Sequence, residues 1–381
     1  MFKSLSSLNR YGAWIAFFFA LVVVPSLYFE NLISIGKIAL YGKFLAYVVV
    51  AIGVDLVWGY TGILSLCQAM FFCMGAYAMG MYFSFHGQLD ARGVPYCLSY
   101  VSSEVHKVNG EIVVGSLIPW FWEPFRYFPV ALILGVTFPA AIAAIFGFFA
   151  FRSRVRGVYF SIITQAITLA AVQFFMLNNM RLGGTNGIRL IQLQPFMGMD
   201  LYQPSGVMGM YIISALTVAA VYAFSRHLVN SRLGRILIAI RDNESRLRFS
   251  GYQPAYYKLF IFAFAAAIGG IGGMLYIPQD QIVTPANMDA LPSILMVVWV
   301  ALGGRGTLSG AVVGTLAVNI LYSYMTSKWP QYWPFVLGGI AIFVVLFFPQ
   351  GIVGMWRQFT GNKEDAPPIP HATADGAEVA A

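Results

Sequence analysis

The sequence predicts an all-α fold, a polytopic membrane helical bundle of about ten transmembrane helices. Hydrophobic residues make up 59% of the 381 residues and charged residues only 10%, whereas a soluble domain carries roughly 25% charged residues. So few charges cannot cover a water-exposed surface, and the mean hydropathy is +0.72. Ten apolar runs also reach or approach the length of about 20 residues that crosses a bilayer.

The apolar runs follow one another along residues 13–354, which we interpret as one transmembrane domain. The first run follows Lys3 and Arg10 as in a signal peptide, but no small-residue cleavage site follows it, so we interpret it as a retained span. Lys37 and Lys43 crowd the second run, and the eighth is short enough to be broken or re-entrant. The predicted spans are 13–29, 38–58, 63–83, 128–149, 159–177, 207–225, 259–277, 292–302, 307–324 and 333–348.

The stretch Ser231–Lys258 lies between the sixth and seventh spans and predicts a basic amphipathic helix. Apolar residues recur in it at helical spacing, with charges on the other face. A basic segment between spans is expected on the cytoplasmic side, where its apolar stripe offers a partner protein a helix to bind in a groove. A solvated loop that only sets topology is the alternative. The apolar residues are Leu233, Ile236, Leu237, Ile240 and Leu247.

The basic residues predict the orientation of the chain. With Ser231–Lys258 in the cytoplasm and the spans alternating, most of the other basic residues also lie inside, as the positive-inside rule requires. This predicts an even number of spans with both termini cytoplasmic. The polar and small residues of 358–381 predict a disordered cytoplasmic tail.

Two segments at the predicted inner side share the pattern G-x-x-G-x-L-S. They are Gly59–Ser65 and Gly303–Ser309, and each precedes a span. The match is consistent with a parallel internal repeat, which transport folds often contain; chance similarity is the alternative.

Pairs of glycines four residues apart occur in two predicted spans. Small residues at this spacing let membrane helices approach closely, and tight structural packing is the favoured interpretation over a movable interface. The pairs are Gly269 with Gly273 and Gly310 with Gly314.

Polar residues inside lipid are costly and are candidates for function. Asp55 is the only acidic residue within a predicted span and lies about one turn from its inner end, where facing water is the alternative. Other candidates would hydrogen-bond a small polar solute or, equally well, a neighbouring helix. They are Ser65, Gln68, Thr164 and Gln165, together with Thr185 and Asn186 in the glycine-rich turn Gly183–Gly187, which is also typical of an ordinary turn.

No catalytic or energy-coupling motif is present in the sequence. It contains neither the G-x-x-x-x-G-K-[ST] phosphate loop nor H-E-x-x-H, and its three cysteines have no metal-binding spacing. The predicted spans hold no pair of carboxylate and base of the kind that an ion-driven carrier uses. The net charge of +8 does not indicate nucleic acid, because the basic residues flank apolar runs. These absences favour a transport pathway that is not an enzyme, binds no metal and is driven from outside.

The chain resembles the permease subunits of branched-chain amino acid-type ABC importers over Ala13–Gly354. The resemblance is carried by GYTGILSL (Gly59–Leu66), GGTNG (Gly183–Gly187), SRLGRILIAIRDNE (Ser231–Glu244), YKLFIF (Tyr257–Phe262) and LGGRGTLSGAVVG (Leu302–Gly314). Within that family it looks most like the urea-uptake permease, through VDLVWGYTG (Val54–Gly62), GAYAMGMY (Gly75–Tyr82), PWFWEPF (Pro119–Phe125), FRSRVRGVYFSIITQAIT (Phe151–Thr168) and AIRDNESRLRFSGYQPAYYKLF (Ala239–Phe260).

The resemblance implies a heteromeric importer in a bacterial inner membrane. Its other parts would be a second permease subunit, two ATPase subunits that bind ATP and Mg, and a periplasmic solute-binding protein; this chain would itself bind no cofactor. Ala239–Gly251 would be the coupling helix on an ATPase. The coupling residues expected around it are Arg232, Arg235, Arg241, Asp242, Glu244, Arg246 and Gly251.

The resemblance also implies alternating access for a small neutral polar solute, urea and short amides. The scarcity of basic residues in the predicted spans favours urea, since an amino acid needs a partner for its carboxylate. The family often has Gly-His where this chain has Cys67-Gln68, so the polarity there differs. Branched-chain amino acid transport is the alternative, followed by a stand-alone channel or secondary carrier and then an intramembrane enzyme.

Overall fold

The computed structural model describes residues 34–87, 95–99, 107–108, 111–112, 118–153, 155, 157–177, 181–190 and 200–332, with isolated residues at 25, 26, 28, 335, 336, 338, 339 and 351. The described part is mostly helical, as predicted. It also holds two short antiparallel pairs, β1 (Lys107–Val108) with β2 (Glu111–Ile112) and β3 (Ile188–Arg189) with β4 (Ile282–Val283).

The helices of the described residues include six that are long and apolar enough to cross a membrane, namely α1, α4, α5, α6, α8 and α10. The bounds are α1 Ile35–Thr61, α2 Gln68–Phe85, α3 Tyr96–Ser99, α4 Phe128–Arg152, α5 Val158–Met176, α6 Pro204–Asn230, α7 Arg232–Phe249, α8 Pro254–Asp280, α9 Ala290–Gly303 and α10 Leu308–Lys328. Short 3-10 turns lie at Glu123–Arg126, Gly184–Asn186 and Pro285–Met288.

Helix α8 lies at the centre of the bundle, against α1, α2 and α4. Its small residues permit this, because a Cβ on Gly273 would overlap the carbonyl of Phe72 and a Cβ on Gly269 would touch Phe71 at 3.4 Å. Gly310 and Gly314 of α10 pack in the same way against the backbone of α9, at Gly303. The four predicted packing glycines therefore lie at close helix contacts.

Helix α7 lies at one end of the bundle, which we name the α7 end. Leu237 and Ile240 are buried in a second apolar cluster with α1 and α6, and Ser231 caps the helix by accepting a hydrogen bond from the Leu233 amide at 3.2 Å. Asn243 interrupts the helix with φ −159° and ψ 95°. The predicted amphipathic helix is thus present, and its second segment begins after Asn243.

Helix α2 begins inside the bundle rather than at the α7 end. Gln68 lies beside Gly269 and Phe72 beside Gly273 of α8. Gly269 is 15 residues from the start of α8, which at 1.5 Å per residue places Gln68 about 22 Å from the α7 end. Residues 62–67, which we name the rising segment, connect the end of α1 to this point without helical structure.

Several predicted boundaries need correction. The predicted span 63–83 is wrong at its start, because residues 63–67 form the rising segment, and the coupling loop 231–258 ends earlier, because α8 begins at Pro254. The short predicted span 292–302, for which a broken or re-entrant form was the open alternative, lies in a continuous helix of 14 residues, Ala290–Gly303. The other helices match their predicted spans but mostly run several residues further; α8 extends past the predicted 259–277 to Asp280.

Some predictions fall on residues outside the described ranges. These are nearly all of spans 13–29 and 333–348, both termini and the tail 358–381. The total of ten spans, the cytoplasmic position of the termini and the internal repeat therefore stay predictions.

Candidate functional site

The two segments with the G-x-x-G-x-L-S pattern meet at the α7 end. Gly59 of α1 lies so close to Gly306 that a Cβ on Gly59 would be 2.5 Å from the Gly306 nitrogen and 2.8 Å from its Cα. Any side chain at position 59 would separate the two turns. We name this contact and the side chains around it the glycine junction.

Asp55 lies fully buried at the glycine junction, one turn before Gly59. Its Oδ1 accepts a hydrogen bond from the Gly306 amide at 2.7 Å, while Oδ2 has no hydrogen-bond partner among the described residues. Arg305 and Arg241 act on it electrostatically. A buried carboxylate requires such compensation, so Asp55 fixes the turn of residues 304–307 to α1 with help from both guanidinium groups.

Arg241 connects α7 to the glycine junction. Its Nη1 donates to the Gly59 carbonyl at 3.0 Å and its Nε to the Asp242 carboxylate at 3.2 Å, and the side chain is 11% exposed. The last carbonyls of a helix lack partners within the helix and carry partial negative charge. Arg241 therefore stabilises the end of α1, although it lies in α7, 182 positions after Gly59 in the sequence.

Arg305 makes the matching contact from the other turn. Its Nε donates to the Trp58 carbonyl at 3.3 Å, and its guanidinium lies 4.8 Å from the centre of the Trp58 ring. Burial lowers the pKa of Arg305, the charge of Arg241 lowers it further, and Asp55 opposes both. Two arginines from different parts of the chain thus bind consecutive carbonyls at the end of α1.

Beyond Ile63, whose amide still donates to the Val57 carbonyl of α1, the rising segment is hydrogen-bonded by hydroxyl groups of α5. Ser161 donates to the Leu64 carbonyl at 2.8 Å, Thr164 accepts from the Leu66 amide at 3.1 Å, and Thr168 donates to the Leu66 carbonyl at 3.3 Å. These residues recur every three to four positions, so they lie on one face of α5. Non-helical backbone at membrane depth is tolerated only where protein or water satisfies it.

The beginning of α2 presents unsatisfied polar groups inside the bundle. Gln68 is 1% exposed, and neither atom of its amide has a partner among the described residues; the same holds for the amide of Gln165 on α5. The first N–H groups of α2 add partial positive charge there. Buried polar groups normally have partners, so these uncharged amides are suited to bind a small polar solute or ordered water.

The structure brings some of the predicted pathway residues together and separates others. Asp55 belongs to the glycine junction. Ser65, Gln68 and Thr164 lie at the rising segment and the start of α2, with Gln165 beside Thr164 in sequence. Thr185 and Asn186 do not join that group. They are exposed in the turn that precedes β3, and β3 itself lies beside Gly80 of α2.

The predicted coupling residues divide in the same way. Glu244 faces the bundle, where its carboxylate pairs with Arg248 at 2.6 Å and with Lys258 of α8 at 2.8 Å. Together with Arg241 it fixes α7 to the bundle. The remaining members are exposed on the outer side of α7 or just after it: Arg232, Arg235, Asp242, Arg246 and Gly251.

An ion pair between α1 and α8 corrects the expectation that the spans hold no carboxylate–base pair. Lys43 Nζ lies 2.6 Å from Asp280 Oδ1, with side chains 26% and 22% exposed, and the Tyr276 hydroxyl donates to the same carboxylate. The pair was not predicted because Asp280 lies beyond the predicted span 259–277. The lysine within an otherwise apolar run was the signal that could have indicated it.

Aromatic rings continue from this ion pair into the bundle. The Tyr47 ring lies 5.0 Å from that of Trp299, 5.7 Å from that of Tyr276 and 5.8 Å from that of Phe72, measured between ring centres. Offset rings at these distances attract one another. We name these four residues the aromatic cluster; it couples α1, α2, α8 and α9.

Comparison with known proteins supplies the context for these features. Residues 37–345 match the family described as branched-chain amino acid transport system, permease component. The chain is similar to the high-affinity branched-chain amino acid transport system permease protein LivM of Escherichia coli K12, with 24% identity over 89% of this chain and 75% of LivM. A probable LivM of Methanocaldococcus jannaschii is 24% identical over 81% of this chain and 90% of that protein.

A more distant similarity reaches the ribose import permease protein RbsC of Escherichia coli K12, with 23% identity over 50% of this chain and 59% of RbsC. No solved structure matches the chain. The family match covers well over half of the sequence, and several apolar helices long enough to span a bilayer agree with it. The chain therefore belongs to the branched-chain amino acid permease family of ABC transporters and is a multi-pass protein of the inner membrane.

Proposed function

We propose that this chain is the permease subunit of an ATP-driven importer in which Arg241 couples α7 to the transport bundle. The observation that carries the proposal is the hydrogen bond of 3.0 Å from Arg241 to the Gly59 carbonyl. It joins the amphipathic helix, whose outer side is exposed among the described residues and can receive ATPase subunits, to the junction between the two glycine turns. A second permease subunit, two ATPases and a periplasmic binding protein complete the proposed importer.

The proposed mechanism is alternating access driven through the glycine junction. When the ATPases close on ATP they shift α7, and Arg241 transmits the shift to the end of α1. Gly59 and Asp55 pass it to residues 304–307 and so to α9 and α10, while Gly62 passes it to the rising segment and α2. Packed elements of this kind move between discrete arrangements rather than deforming continuously.

The proposed substrate is a branched-chain amino acid. The relatives' names support it, and so does the Lys43–Asp280 pair, because an ammonium and a carboxylate on the protein match the two charges of an amino acid. The aromatic cluster beside the pair offers apolar surface to an aliphatic side chain. None of these groups is required by a neutral solute.

Urea is the second candidate, and a specific observation favours it. The unpartnered amides of Gln68 and Gln165 offer donors and acceptors without charge, which suits a small neutral solute rich in hydrogen-bonding groups. The Cys67-Gln68 departure from the family pattern falls at the same position.

Replacing Arg241 tests the coupling. In the assembled importer, Arg241→Ala is expected to lower uptake about tenfold, because a hydrogen bond from a charged donor contributes about 1.5–3 kcal/mol. Arg126→Ala, at an exposed position outside α7, is the matched control for loss of charge. Uptake of labelled solute and ATP hydrolysis are measured on the same preparation, with assembly checked by co-purification of the ATPases. Uptake that persists in Arg241→Ala, or when the ATPases are inhibited, would support a channel or secondary carrier instead.

Competition identifies the substrate. Labelled leucine and labelled urea are offered to cells that lack other uptake systems for both, each with the other as unlabelled competitor. For a branched-chain amino acid permease we expect saturable leucine uptake that urea does not inhibit and that Lys43→Met lowers about tenfold, since the charged partner is lost. Saturable urea uptake that resists leucine and is lowered by Gln68→Leu, while Lys43→Met leaves it unchanged, assigns urea.

A further inference from the structure

A cavity of about 300 Å³ opens at the α7 end, and none of the residues of the glycine junction lines it. The last turn of α4, the end of α7 and the first turn of α8 line it. Its polar wall contains Arg152 and Arg248, and its apolar wall contains Phe148, Tyr252 and Tyr256. Neither the coupling nor the solute pathway proposed above uses this cavity.

Positive charge dominates the cavity and its surroundings. Arg248 and Lys258 share the single carboxylate of Glu244, while the Arg152 guanidinium lies over the Phe148 ring at 5.7 Å. Helix α8 also starts at this cavity, and its N-cap residue Gln253 makes no side-chain hydrogen bond to the helix. The free amides of its first turn therefore add to the attraction for an anion.

The cavity leads onto an apolar surface of α4 that no other described element covers. Its large side chains include Ile145, which is 62% exposed, and Phe149, which is 65% exposed, and the surface continues along the helix through Phe138 and Ile133. Phe260 of α8 borders it, 48% exposed. In a membrane this surface is suited to hydrocarbon chains.

We propose that the cavity binds the phosphate of an anionic phospholipid of the cytoplasmic leaflet, whose acyl chains lie along α4. Two guanidinium groups and an uncapped helix start match the phosphate, and the exposed face of α4 matches the chains. Basic pockets between membrane helices on the cytoplasmic side recognise lipid head groups in this way. Free phosphate would satisfy the same cations but would gain nothing from α4.

The bound lipid connects α4 to the segment of α7 beyond Asn243, because Arg152 and Arg248 belong to these two elements. Since Arg248 also pairs with Glu244, occupancy would stabilise the position of the second half of α7. The proposal thus gives the membrane composition a direct effect on the helix that receives the ATPase. It does not depend on which solute is transported.

Lipid binding to the purified importer in detergent tests the proposal, by native mass spectrometry with added phosphatidylglycerol, phosphatidylcholine or inorganic phosphate. We expect Arg152→Gln with Arg248→Gln to weaken phosphatidylglycerol binding about 30-fold, from about fivefold per basic residue. Arg226→Gln, at the end of α6 on the same side, is the matched control for general surface charge. Ala255→Trp fills the cavity without removing charge and should lower binding to a similar extent.

Three outcomes would overturn the inference. Phosphatidylcholine bound as tightly as phosphatidylglycerol would remove the role of charge. Inorganic phosphate that displaces the lipid at equal concentration would assign the cavity to a free anion. An equal loss in Arg226→Gln would show only general attraction to the surface. Co-purification of the ATPases and the elution volume of each variant distinguish loss of the site from loss of the fold.

Discussion

Two segments with the same seven-residue pattern form different structures. In Gly303–Ser309 the turn is short and bonds to itself: Thr307 donates through its amide and its hydroxyl to the Gly304 carbonyl, at 3.2 Å and 2.7 Å. In Gly59–Ser65 helix α1 ends at Gly62, with φ 77°, and the chain then rises into the bundle. Its hydrogen bonds come from α5, about 100 positions later.

The comparison shows which part of the pattern determines which contact. The first glycine of one segment, Gly59, meets the second glycine of the other, Gly306, and only residues without Cβ permit this approach. The remaining pattern glycines differ in their contacts, since Gly62 lies against Arg241 and Gly303 against Gly310 and Gly314. The course of the chain beyond the second glycine depends on distant residues, the hydroxyls of Ser161, Thr164 and Thr168. The shared pattern therefore supplies glycines where the two segments meet, but it does not establish a repeated fold.

The largest expected effect comes from a change that pushes the two segments apart at their contact. Gly59→Val would place its side chain on the backbone of Gly306 and on Asp55, and overpacking of this kind costs about 1–3 kcal/mol or more. We expect loss of nearly all uptake and a lower unfolding temperature, measured by size-exclusion after heating. Gly36→Val is the control, since Gly36 lies on the same helix with open space around it. Normal stability of Gly59→Val would contradict the junction.

An intermediate effect is expected from a change that acts on the rising segment alone. Thr164→Val keeps the shape of the side chain but leaves the Leu66 amide without its acceptor, at a cost of about 1–3 kcal/mol. The comparison is with Thr137→Val, whose hydroxyl bonds within its own helix at an exposed site. Hydrogen exchange, read by mass spectrometry, should rise at residues 62–67 and stay unchanged at 304–307. Equal rises in both would argue against separate support for the two segments.

The smallest effect is expected where only the shape of a cation changes. Arg305→Lys keeps the charge beside Asp55 but loses the planar contact with Trp58, which contributes about 0.5–2 kcal/mol. A decrease in uptake of a few-fold should follow, and Arg226→Lys serves as the control. If Arg305→Lys and Arg305→Gln lower uptake equally, the charge at this position contributes nothing and the account of Asp55 is wrong.

The sequence predicted the helices well where a pattern is local. Leu237 and Ile240 recur at helical spacing and Ser231 is a good cap, so α7 was predictable. Hydropathy could not separate the rising segment from α2, because Ile63 and Leu64 are apolar and the hydroxyls that permit their non-helical backbone belong to α5. The end of α8 was predicted too early at Ile277, since Pro278 and Gln279 resemble a helix stop although the helix continues to Asp280.

Site residues were predictable by type but not by partner. Asp55 was singled out as the only acidic residue within a predicted span, and Arg241 as a coupling residue through the family resemblance. Their common contact with the glycine junction joins positions far apart in sequence. Lys43 and Asp280 were missed as a pair for the same reason, because nothing within either run indicates the other. Long-range contacts of this kind follow from the packing of α1 against α8 and α7 rather than from any local pattern.

The hydroxyls that support the rising segment also determine how easily it can change its position. Each such bond contributes only about 0.5–1.5 kcal/mol, far less than a stretch of continuous helix would lose if it were pulled apart. Separating α5 from residues 62–67 therefore costs a few kcal/mol, a gap at which a minor conformer remains populated at about 0.1–10%. A rearrangement of the rising segment is thus opposed by a few side-chain hydrogen bonds rather than by a cooperative stretch of helix.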